Sequence, residues 1–383
     1  MGVVLPKPVL SKVVDRVGAK TVVGACCSIN GFRNSMEDAH CMIMDPDRML
    51  FGIFDGHSND KCSQYIAEHM PRKIKGLSSP LQDADIEKVC VDLDAEFLEN
   101  VSDGGTTGTF CMVEPIAGTN KHRVTIANVG DSRILVARAG RIIAQTLDHK
   151  PQNPEERQRI ERCGGIVRMN RVDGDLAVSR AFGDGMFKKF SGSDLRNQKV
   201  IAVPDIQRID CEPEDIIVLA CDGVFEGSFT NEEVVQFVTC NLPPPAGDYA
   251  VVSARVCDQA VRRGSKDNIS CMLVHFTDGS AHVAHHGAAS FVPGPPYPRT
   301  HEASRTAYQR MAQMAGVSLT DALKLRYELY TAHVNQQSHK RKPIEQVAFD
   351  MSDEVDIQNE GQFWAGAAGG DSSFFSNLAD GGK

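Results

Sequence analysis

Short apolar runs separated by turn residues fill the first three quarters of the chain. Thr21 to Ser28, Ala39 to Met44, Met49 to Phe54, Thr107 to Val113, Arg123 to Val129, Arg133 to Arg138 and Arg141 to Thr146 read as strands, with Ala139-Gly140 as a hairpin signal between the last two. Further strands are expected at Ile166 to Met169, Ile216 to Cys221 and Asn268 to Phe276. Between them the period becomes helical. Ile86, Val89, Cys90, Leu93, Phe97 and Val101 recur at three- and four-residue steps, which predicts an amphipathic helix from Asp83 to Val101. Pro154 to Arg162 begins behind Asn153, carries proline in its first turn and stops at Cys163-Gly164-Gly165. Asn231 to Cys240 and Tyr249 to Arg263 also have helical spacing, the second ending against Gly264. Strands in consecutive runs, with helices grouped apart, point to an α+β protein built as a β-sandwich covered by helices.

After Phe276 the pattern breaks at Pro293-Gly294-Pro295-Pro296-Tyr297-Pro298. Helices are expected again from Thr306 to Gly316 and from Leu319 to Thr331, the second opened by Ser318, and the remainder is rich in Gly, Ser, Asp and Phe. The implied organisation is an N-terminal arm (1–19), a main domain (20–276), a Pro/His-rich linker (277–300), a small helical appendage (301–348) and a mobile acidic, Gly-rich tail (349–383). His282, His285 and His286 could hold a soft metal, but without partner cysteines or a helical register they read as linker. The apolar runs fall far short of the ~20 residues that span a bilayer, and the N-terminus has no secretory apolar core. No internal repeat or P-loop stands out.

Composition adds exclusions. With 42% apolar and 24% charged residues the chain is ordinarily globular. Its 41 Lys+Arg against 50 Asp+Glu leave a net charge of −9, which speaks against broad nucleic-acid binding. The 12 cysteines are scattered without a CxxC pair, as expected of reduced, buried thiols in a cytosolic or nuclear protein.

The candidate chemistry lies at the ends of apolar strands. Met49 to Phe54 leads into Asp55-Gly56-His57, and Ile216 to Cys221 leads into Asp222-Gly223. Glu37-Asp38 precedes the strand from Ala39, and Asp267-Asn268 stands at the entry to the strand ending at Phe276. A carboxylate at such a junction is held rigidly yet can face a cleft, and hard divalent ions prefer such oxygen donors. Singly, an Asp-Gly pair is more often a turn and an Asp-Asn pair a strand-entry cap.

In combination the residues say more. In order stand Arg33-Asn34-Ser35-Met36-Glu37-Asp38, Phe54-Asp55-Gly56-His57, Gly105-Thr106-Thr107, Gly130-Asp131-Ser132-Arg133, Asp148-His149-Lys150-Pro151, Val178-Ser179-Arg180-Ala181-Phe182-Gly183-Asp184, Cys221-Asp222-Gly223 and Asp267-Asn268. This series resembles the metal-dependent, 2C-type Ser/Thr protein phosphatases over about residues 20 to 276. The resemblance implies a four-layer α-β-β-α sandwich of two antiparallel sheets, with two Mn²⁺ or Mg²⁺ ions at one end. It implies that Asp55 bridges the ions, that Gly56 adds its carbonyl oxygen, that Asp222 and Asp267 bind the first ion, and that Glu37 and Asp38 serve the second. Phosphoserine and phosphothreonine in proteins would be hydrolysed by a hydroxide activated between the ions, without a covalent intermediate. Arg33 would grip the phosphate in a bidentate contact and His57 would protonate the departing oxygen. Gly130 to Arg133 and Asp148 to Pro151 read as scaffold. Lys188, Lys189, Arg196 and Lys199 fall where the family carries a flap beside the cleft, and read equally well as a phosphopeptide lure or a solvated loop.

Departures from the family pattern are local. Ser58-Asn59 replaces the usual Gly pair, and Phe225-Glu226 stands for Trp and Asp. The acid expected to serve a third ion is displaced to Asp103, with Ser102 on its position. Met1-Gly2 opens the chain like family members that carry a myristoyl group, although Pro6 occupies the place preferred for Ser or Thr. The expected partners are phosphorylated proteins, with no nucleic acid, and the expected state is a monomer in cytoplasm or nucleus. The rival reading is a non-catalytic phosphoprotein-binding scaffold, which predicts loss of Asp55, Asp222 or Asp267; all three are present.

Overall fold

The computed structural model describes residues 4–101, 103–189, 195–244, 247–280, 289–335, 342–365 and 372–380. The chain begins β1 (Val9–Ala19), β2 (Val22–Gly31), β3 (Ala39–Met44), β4 (Met49–Phe54), β5 (Gly56–His57), α1 (Lys61–Lys75), α2 (Asp83–Asn100), β6 (Gly105–Thr106), β7 (Gly108–Pro115) and β8 (His122–Val129). It continues with β9 (Arg133–Arg138), β10 (Arg141–Gln145), α3 (Pro154–Arg162), β11 (Val167–Arg168), β12 (Arg171–Val172), β13 (Phe182–Gly183) and β14 (Asp205–Cys211). Then come β15 (Ile216–Ala220), α4 (Asn231–Cys240), α5 (Tyr249–Arg262), β16 (Ile269–Phe276) and β17 (Ser290–Val292). The described chain closes with α6 (Glu302–Met314), α7 (Leu319–Val334), α8 (Pro343–Val347), α9 (Glu354–Trp364) and α10 (Ser372–Asp380).

Two antiparallel sheets occupy the centre, one ordered β10-β9-β15-β16-β2-β1-β17 and the other β14-β8-β7-β4-β3. β15 is apolar at every position because both of its faces are covered: Ile217 and Leu219 fill the space between the sheets, while Ile216, Val218 and Ala220 pack with α4 and α5. β4 behaves alike, with Phe51 and Ile53 between the sheets and Leu50 and Phe54 against α1 and α2. Each such fully buried Val, Leu, Ile or Phe side chain contributes about 2 kcal/mol. The result is the α-β-β-α layering of the sequence reading.

The ends of the chain are more ordered than the sequence pattern suggests. The stretch read as an arm carries β1, which pairs with β2 and β17. Lys12 disguised it: its Nζ lies 2.8 Å from Asp258 Oδ1, with the two side chains 1% and 3% exposed. β17 itself falls in the stretch read as linker. The tail read as mobile contains α9 and α10, which bury Trp364 and Phe375 in one cluster with Leu5, Val9, Val13 and Met36 from the sandwich side and Tyr308 and Met311 of α6. Arg326 anchors this appendage from full burial, with Nε 2.7 Å from Glu360 Oε1 and Nη1 2.9 Å from the Ala348 carbonyl. Gly2, Ser102, His282, His285 and His286 lie outside the described residues.

Candidate metal centre

Strand register assembles the site. β3 and β4 pair antiparallel with Ala39 opposite Phe54, so Asp38, one residue before, meets Asp55, one residue after. In the other sheet β15 pairs with β16, Ala220 opposite Cys271, which brings Asp222 and Asp267 to the same end. Backbone packing locks these turns together. A Cβ on Gly223 would stand 2.0 Å from the Asn268 carbonyl oxygen, and one on Gly56 would stand 2.3 Å from the Glu37 carbonyl oxygen. Asn268 ties the loop between β2 and β3 to this end. Its Oδ1 accepts the Glu37 N–H at 2.9 Å, and its Nδ2 donates to the carbonyls of Asn30 and Ser35, each at 2.9 Å.

Asp38 is buried, and its Oδ2 accepts from Ser270 Oγ at 2.7 Å. Its other oxygen, Oδ1, is buried without a hydrogen-bond partner. An Asp38 oxygen, an Asp55 oxygen and the Cys221 sulfur lie within 4.8 Å of one another. Burial, with the charge of Asp267, pushes the Asp38 carboxyl up to about 7 against the hydrogen bond of Ser270. Asp55 is driven well above the carboxylate range by burial and by Asp38, Asp222, Asp267 and Asp131. Asp222 is raised by burial and by Asp131 and Asp267, with Lys150 opposing. Asp267 is raised by burial in spite of Arg33 and the Asn268 N–H. So many carboxylates without enough counter-charge, one of them presenting an orphaned buried oxygen, are the donor set that hard divalent cations fit.

Asp131, read from the sequence as part of a scaffold turn, belongs to this set. The turn that carries it leaves β8 in one sheet and enters β9 in the other, and its charge acts on Asp55 and Asp222 alike. It is buried and ion-paired with Lys150 of the Asp148 to Pro151 stretch. Asp103 is not brought to the site: it is exposed, and its Oδ2 lies 2.8 Å from Lys61 Nζ.

His57 and Asp184 meet through a small sheet of their own, ordered β13-β6-β5. His57 Nε2 lies 2.7 Å from Asp184 Oδ2. Burial works against a charged His57, but the hydrogen bond and charge of Asp184 outweigh it and hold its pKa above the ordinary histidine value. Asp184 was not singled out from the sequence. Arg33 is 46% exposed at the rim and ion-paired with Asp267, so its guanidinium borders the carboxylates while facing solvent. Glu37 is half-buried, its Oε1 accepting from Ser35 Oγ at 2.8 Å. Of the flap cations, Lys188 is turned inward, with Nζ 2.7 Å from Asp94 Oδ2.

A helix-flanked sandwich with a cluster of acids at the strand ends defines the class, and comparison with known proteins gives it a family. The family described as Protein phosphatase 2C matches residues 22–269. Protein phosphatase 1B of Bos taurus is 33% identical over 73% of this chain, which spans 61% of that protein's length. Probable protein phosphatase 2C 2 of Paramecium tetraurelia is 30% identical over 71% of this chain and 93% of its own. Among solved structures, a phosphatase of Toxoplasma gondii superposes with a TM-score of 0.67 at 31% identity, covering 73% of this chain and 99% of that one. The chain belongs to the protein phosphatase 2C family.

Proposed function

We propose that the protein is a Ser/Thr protein phosphatase that hydrolyses phosphoserine and phosphothreonine in protein substrates with the help of Mn²⁺ or Mg²⁺. The convergence of Asp38, Asp55, Asp131, Asp222 and Asp267 from both sheets, with Asp38 Oδ1 unpartnered, carries this reading. Asp55 would serve both cations, with Asp222 and Asp267 at the first and Glu37 and Asp38 at the second, and Gly56 would add its carbonyl oxygen. Asp131 is better placed than Asp103 to meet a third. When bound, the cations supply an activated water and offset the charge of the phosphoryl oxygens. Arg33 binds the phosphoryl group with a planar fork that lysine cannot copy. Asp184 fixes the His57 ring and favours its protonated form, so the departing serine or threonine oxygen receives its proton from His57.

Hydrolysis of p-nitrophenyl phosphate with Mn²⁺, abolished by EDTA and by Asp222→Ala, is the expected result. Activity that survives both treatments would remove the carboxylate site from the reaction. No described helix is long and apolar enough to cross a membrane.

A further inference from the structure

The C-terminal helices touch, at two points, segments that lead to the candidate metal ligands. Arg310 of α6 is ion-paired with Asp60, the residue before α1, and these side chains are 41% and 18% exposed. The single Ser63 Oγ proton faces two carbonyls and is shared between them, that of Asp60 at 3.0 Å and that of Glu37. That carbonyl is the oxygen against which Gly56 packs. The second contact is Met36, 2% exposed in the appendage cluster with Tyr308 and Met311, immediately before Glu37 and Asp38. One helix therefore grips both segments that present Glu37, Asp38, Asp55 and Gly56, one through an ion pair and one through apolar packing.

We propose that Arg310 is a positioning residue for the second cation: through Asp60 and Ser63 it sets the spacing between the Glu37-Asp38 and Asp55-Gly56 segments. The inference rests on the metal reading above. Its selectivity follows from the contacts. Asp222 and Asp267 are carried by β15, β16 and their turns, away from the Arg310 ion pair, so the first cation, which keeps those two ligands, should be affected less than the second.

The test is a calorimetric Mn²⁺ titration of the full chain, in wild type, Arg310→Met, Arg310→Lys and Asp60→Asn, with thermal unfolding alongside. Arg310→Met should weaken one of two Mn²⁺ binding events about tenfold and the other distinctly less, as expected when a group supporting a metal ligand is removed. Arg310→Lys should restore most of the loss. Asp60→Asn should weaken the same event, and combining it with Arg310→Met should add little further. Unchanged isotherms in folded Arg310→Met and Asp60→Asn proteins would overturn the inference. Equal weakening of both events in parallel with a lowered Tm, unrelieved by lysine, would overturn it too. Absence of Mn²⁺ uptake by the wild type would instead overturn the metal reading beneath it.

Discussion

His57 and Asp184 are 127 residues apart in sequence and share a 2.7 Å hydrogen bond that passes over the bare Cα of Gly105. A Cβ there would lie 2.3 Å from Asp184 Oδ2 and 2.4 Å from His57 Nε2. The contact exists because β6, between β5 and β13, carries no side chain at this point.

Gly105→Ala should therefore push the pair apart. If His57 supplies the leaving-group proton, kcat should fall about 100-fold. Phosphopeptide KM should change little. Steady-state kinetics beside a thermal melt would separate this from simple misfolding, and an unaltered kcat would dissociate the imidazole from proton transfer.

Arg33→Ala should raise KM for phosphopeptides by about 10-fold or more, the usual scale for losing a charge-assisted bidentate contact. Lysine at this position should recover only part of it. A KM equal to wild type would take Arg33 out of the phosphate site.

Asp222→Asn should have opposite effects with and without metal. In EDTA it relieves repulsion from Asp131 and Asp267, so Tm should rise, by about 2–4 °C if the relief is near 1 kcal/mol. With Mn²⁺ present the variant should lose most of the metal-induced gain in Tm that the wild type shows. A lower Tm in EDTA would mean that the carboxylate is not repelled.

Glu156 gives a pH-dependent expectation away from the metal centre. It is buried between Arg159 and Arg180, and Arg180 also donates to the Val203 carbonyl at 3.0 Å, pinning the segment that leads to Asp184. Burial tends to raise its pKa, but the Arg180 hydrogen bond and both guanidinium charges bring it below the ordinary glutamate value. A depressed pKa contributes stability in full above the unfolded value of about 4.3 and loses it as pH falls through the lower folded value. Glu156→Gln should cost about 3 kcal/mol at pH 7. Urea unfolding should show the gap to wild type closing below about pH 4. A gap independent of pH would point to lost packing rather than lost charge.

Trp364 is the single tryptophan of the chain and lies in the appendage cluster, Nε1 3.0 Å from Glu360 Oε1. Because that cluster includes Val9, Val13 and Met36, its emission should change in the same denaturant transition as far-UV circular dichroism. A separate, earlier fluorescence transition would make the appendage an independent unit.

Much of this was legible in the sequence because it is written in local periodicity. Ala39–Met44, Met49–Phe54 and Arg133–Arg138 coincide with their strands, and Pro154–Arg162 and Asn231–Cys240 with their helices. Asp55, Asp222 and Asp267 stood out because each adjoins an apolar run. Asp131 did not, since Gly-Asp-Ser is a turn signal wherever it occurs, and only the crossing from one sheet to the other turns it inward. α1 escaped notice because its buried apolar stripe is narrow, Cys62, Ile66, Met70 and Ile74, with Pro71 inside the helix. Asp184 and Arg310 owe their importance to partners 127 and 250 residues away, which no window along the chain contains.

The carboxylates are shared between two sheets joined chiefly by hydrocarbon, Phe51, Ile53, Leu219 and Met272 among it. That filling acts as a spacer whose thickness sets the gauge of the oxygen cage at its rim. Interior substitutions many residues from any acid could thus retune ion affinity by altering how far apart the two layers stand, a route to adjusting the chemistry that leaves every ligand in place.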